Sequence, residues 1–90
     1  MRFATKAEMR KRVAELGASI DSDGEDEGFL LIDAPVGFQF CRTGTATLSV
    51  PFGNAVGQQW RREAYADAIS DMSGGIEPAS QETKHAMGWQ

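Results

Sequence analysis

One cysteine, Cys41, and one histidine, His85, are the candidates for a thiol nucleophile and an imidazole base in this 90-residue chain. Cys41 falls in the alternating stretch Phe38-Gln39-Phe40-Cys41-Arg42, where a strand would bury the thiol as a small hydrophobe. His85 falls in a polar C-terminal stretch, so the two do not read as a nucleophile and its base. A single cysteine closes neither an intramolecular disulfide nor a thiolate zinc site. Nothing in the carboxylate spacing marks a shielded cleft that would raise a pKa, and no glycine loop of the phosphate-cradling kinds occurs. The sequence points away from an enzyme and implies no cofactor.

The carboxylates carry more. Asp21, Asp23, Glu25, Asp26 and Glu27 lie within seven residues, Asp33 follows, and no Lys or Arg occurs from Val13 to Cys41. Asp21-Ser22-Asp23-Gly24-Glu25 places oxygens at alternate positions, as the opening of a calcium loop does. Such a loop needs glycine at its sixth place and a bidentate glutamate at its twelfth, where this chain has Asp26 and Ile32. No metal site is expected. Two readings of the cluster stand: an acidic turn that keeps the domain soluble, and an outward-facing patch that attracts a basic surface. Mutual repulsion among the carboxylates calls for a reason to keep them together. Arg2, Lys6, Arg10, Lys11 and Arg12 form an opposing pole at helical spacing, either a solvated face or a row able to meet phosphates.

These groups must be held by a small fold. Ninety residues with 41% hydrophobic content suit one domain, and the net charge of −4 disfavours direct nucleic-acid binding. Thr5 and Glu8 have capping-box spacing, Met9, Val13 and Leu16 form an apolar stripe, and Gly17 supplies a stop, which predicts a first helix. Short strands are expected at Ser19–Asp21, Phe29–Ile32, Phe38–Arg42 and Ala46–Val50. The second is apolar on both faces, and the fourth points Leu48 and Val50 inward. A second helix is expected from about Gln58 to Ser73, with Trp60, Ala64 and Ala68 in one row and Tyr65, Ile69 and Met72 in the next, stopped by Gly74-Gly75. The expected fold class is α+β: an antiparallel meander of three to four strands with both helices on one face, in α-β-β-β-β-α order. Residues 1–75 form the expected domain and 76–90 an extended or partly disordered tail, where Trp89 is a candidate interface anchor.

Apolar runs fall far short of the roughly 20 residues that cross a bilayer, and residues 1–16 lack the apolar core of a signal peptide. A cytoplasmic protein with no membrane partner is expected.

Gly57-Gln58-Gln59-Trp60-Arg61-Arg62-Glu63-Ala64 resembles the start of the closing helix of double-stranded RNA-binding domains, whose element order is similar. That resemblance implies phosphate contacts from Arg61 and Arg62, aided by the first-helix bases. The acidic first hairpin departs from the family pattern, because its counterpart there enters a minor groove. In size, charge and layout the chain resembles accessory proteins of bacteriophages and prophages, of the anti-CRISPR type. This second resemblance implies a non-enzymatic inhibitor in a bacterial host cell. Its partner would be a protein with a basic nucleic-acid-binding surface, such as a CRISPR effector complex. Asp21, Asp23, Glu25, Asp26, Glu27 and Asp33 form the expected contact set, mimicking the charge of DNA.

Overall fold

The computed structural model describes residues 3–21, 28–51 and 57–89. The fold is α+β, with elements in the order α1 (Lys6–Glu15), β1 (Ser19–Asp21), β2 (Phe29–Asp33), β3 (Phe38–Phe40), β4 (Thr47–Pro51), α2 (Gly57–Asp71), β5 (Ile76–Pro78) and α3 (Gln81–Met87). The capping box forms as its spacing predicts. Thr5 Oγ1 accepts from the Glu8 N–H at 3.1 Å while the Glu8 carboxylate accepts from the Thr5 N–H. Gly17 adopts φ +69 just beyond the helix, a conformation that a Cβ would strain.

β1, β2 and β4 form an antiparallel sheet in the order β1-β2-β4, with Ile20 opposite Ile32 and Ile32 opposite Leu48. Both helices pack on one face of it. Met9 and Val13 of α1 and Ala64, Tyr65, Ala68 and Met72 of α2 share one buried cluster with Leu30, Ile32, Leu48 and Val50. Ala66 is also buried, which widens the apolar stripe of α2 beyond the expected rows. The side chain of Trp60, expected there too, lies outside the described residues. α1 and α2 run side by side in the same direction. The Ala4 N–H donates to the Arg62 carbonyl at one end, and Arg12 Nη2 donates to the Met72 carbonyl at the other.

The meander is interrupted. β3 leaves the sheet and pairs with β5 in a second ribbon, Phe38 opposite Pro78 and Phe40 opposite Ile76. The segment from residue 76, expected as an extended or partly disordered tail, carries a strand and a helix. Gly75, at φ +78, donates its N–H to the Met72 carbonyl and turns the chain back, so that Ile76 meets Phe40. Phe40 becomes fully buried by this pairing. Ser80 caps α3 by accepting from the Thr83 N–H, and Gly88 ends it at φ +76.

Gln39 explains why the ribbon and α3 stay together. Its side chain is buried, donates to Glu77, and accepts both from the Ser80 N–H at 3.1 Å and from Thr83 Oγ1 at 2.6 Å. Thr83 Oγ1 also lies 3.1 Å from the Gly44 carbonyl. Buried polar groups are tolerated where every partner is present.

Candidate protein-docking face

Alternation along the strands sends Ile20, Leu30, Ile32, Leu48 and Val50 toward the helices. The opposite face carries Ser19, Asp21, Phe29, Leu31, Asp33, Thr47, Ser49 and Pro51, and every one of these residues is at least partly exposed. Register arranges them in rows: Ser19, Asp33 and Thr47; then Asp21, Leu31 and Ser49; then Phe29 and Pro51. Asp21 and Asp33 are diagonal neighbours across β1 and β2, a spacing of roughly 7–8 Å. Thr47 Oγ1 donates to Asp33 Oδ1 at 2.9 Å, which orients that carboxylate within the face. Half-buried Leu31 lies directly opposite Asp21, in the row next to that of Asp33. β1, β2 and β4 contain no Lys or Arg.

Of the expected contact set, the structure brings Asp21 and Asp33 onto this one face. Asp23, Glu25, Asp26 and Glu27 lie outside the described residues. Phe29 and Leu31 belong to the face although the sequence reading did not single them out. Their signal was the unbroken run Phe29-Leu30-Leu31-Ile32, which makes the second face of a strand apolar as well.

The cations of α1 and α2 sit in the helix layer, across the sheet. Arg10, Lys11, Arg61 and Arg62 are exposed there, with the Arg62 guanidinium 6.0 Å from the Phe3 ring centroid. Arg12 does not belong to a solvated row: it is half-buried, bonded to the Met72 carbonyl at 3.1 Å, and 4.0 Å from Glu15. Arg2 lies outside the described residues.

Cys41 is exposed, contrary to the expectation of a buried strand residue, because β3 ends at Phe40 and the chain turns. Desolvation beside the ribbon, then the charge of Glu77 and its hydrogen bond to the thiol, push the Cys41 pKa up. This opposes thiolate formation, the reverse of what a nucleophile requires. His85 is exposed on α3. Trp89 is half-buried behind the Gly88 turn, its N–H donating to the Lys84 carbonyl at 2.7 Å. Among the described residues, no three His, Cys, Asp or Glu side chains come together as metal ligands, and no helix is long and apolar enough to cross a membrane.

No protein-family model, curated protein or solved structure matches this chain.

Proposed function

We propose that this protein is a non-enzymatic inhibitor that docks its acidic sheet face on the basic nucleic-acid-binding surface of another protein, as phage anti-CRISPR proteins that block target-DNA binding do. The observation that carries this proposal is the composition of the helix-free sheet face. It holds Asp21 and Asp33 around half-buried Leu31, with no cation on its strands. The sequence joining β1 to β2 holds Asp23, Glu25, Asp26 and Glu27. A groove that binds DNA presents Arg and Lys at phosphate spacing, and carboxylates satisfy the same donors. Phe29 and Leu31 add apolar contact to the same face, which arginine planes and side-chain stems can cover. Phosphates would be repelled by this face.

The test titrates the protein into purified CRISPR effector complexes and measures binding of target DNA. Wild type is expected to displace the DNA in proportion to its concentration. The variant with Glu25, Asp26 and Glu27 all changed to lysine is expected to lose the effect by at least about a hundredfold while keeping its circular dichroism. Equal inhibition by that variant would end the proposal. If wild type instead shifts free duplex RNA or DNA at low salt, and changing Arg61 and Arg62 to glutamate abolishes the shift, the chain is a nucleic-acid-binding module.

A further inference from the structure

β4 is an edge strand of the three-stranded sheet. The Ala34 N–H donates to the Ala46 carbonyl at 2.9 Å, which sets the phase of the β2–β4 ladder. In antiparallel pairing, bonded and non-bonded residue pairs alternate, so Leu48 and Val50 turn their main-chain groups toward β2. Thr47, Ser49 and Pro51 turn theirs away from it. Ser49 and Pro51 are exposed on that edge. Among the described residues, neither the Thr47 nor the Ser49 N–H finds an acceptor. Two groups break the pattern. Pro51 has no N–H, and the Thr47 carbonyl is already taken by Thr45 Oγ1 at 3.0 Å.

We infer that β4 pairs antiparallel with β4 of a second copy of this chain about a two-fold axis at Ser49. In that register Ser49 faces the partner's Ser49, Thr47 faces the partner's Pro51, and Leu48 faces the partner's Val50. Each Ser49 N–H donates to the opposite Ser49 carbonyl. Each Thr47 N–H donates to the opposite Pro51 carbonyl. The donor that Pro51 lacks would have been aimed at the Thr47 carbonyl, which Thr45 already satisfies. The two irregularities of the edge therefore cancel in this register. On the helix side, apolar Leu48 and Val50 continue the core stripe across the axis; on the other side, the two acidic faces merge into one. The inference does not depend on what that face binds.

Analytical ultracentrifugation of the full chain tests it. Wild type is expected to sediment with twice the 9.8 kDa chain mass at micromolar concentration. Ser49→Pro removes an outward N–H without touching the β2 ladder, as Pro51 already does, and is expected to weaken the dimer about tenfold or more. Ser49→Cys in a Cys41→Ser background is expected to cross-link on mild oxidation, since facing bonded residues lie about 5.5 Å apart, within disulfide span. A wild-type chain monomeric at millimolar concentration overturns the inference. So does a dimer that Ser49→Pro leaves equally tight, or one in which the Ser49→Cys chains fail to cross-link. Should Ser49→Pro unfold, the cross-link alone decides.

Discussion

Glu77 acts on two neighbours at once, accepting from Gln39 and raising the Cys41 pKa with its charge. Cys41 should therefore behave as a sluggish thiol despite its exposure. Alkylation by iodoacetamide at pH 8 is expected to run several-fold slower than for an unstructured cysteine peptide, and Glu77→Gln should speed it. Peptide-like reactivity in the wild type would contradict this. The sign of the pH effect follows from the raised pKa. Above the ordinary thiol pKa, the unfolded chain releases a proton that the folded chain keeps. This contribution to stability is complete below that pH and is lost as pH climbs through the folded value. The exposure of Cys41 was not legible in the sequence, because Phe38-Gln39-Phe40-Cys41 alternates as any strand would and nothing local marks Phe40 as its last residue. Gln39 was hidden for the opposite reason. A glutamine between two phenylalanines reads as the solvent side of a strand, and only α3, some 40 residues later, gives it partners.

At the scale of elements, that glutamine fastens the second ribbon to α3. Gln39→Leu keeps the volume but leaves the Ser80 N–H without its acceptor and the Thr83 hydroxyl with only the Gly44 carbonyl. A loss of about 2–4 kcal/mol in urea unfolding is expected. Hydrogen exchange should quicken over β5 and α3 before it does over β2. Uniform exchange across the chain would show that the ribbon is not a separable unit. Elements with complete local signals were readable: the capping box of α1, its stop at Gly17, with φ +69, and the inward alternation of Leu48 and Val50. β5 and α3 were not, since Ile76 is a lone apolar residue whose partner Phe40 is remote in sequence. The Ser80 cap was a usable sign of α3 that the polar composition of the segment concealed. On the candidate face, Asp21 and Asp33 could be named from charge alone. Leu31 and Phe29 could be placed there only once the register of β1, β2 and β4 was known.

For the molecule as a whole, the final residues complete the core. Removing everything after Gly75 would strip β5 from fully buried Phe40 and take away half-buried Ile76, for an expected cost of about 2–4 kcal/mol. Set against the marginal stability of a small domain, that loss should lower the thermal midpoint sharply and raise binding of a hydrophobic dye. An unchanged melting curve would show that residues 3–75 carry the fold alone. The parallel lie of α1 against α2 has its own consequence. Arg12 and the Met72 carbonyl that it reaches are 60 positions apart in the chain, so the seam between the two helices joins segments that are remote in sequence. Loop-closure entropy makes such a remote match slow, and the α1–α2 seam is expected to be among the last contacts to form when the unfolded chain refolds.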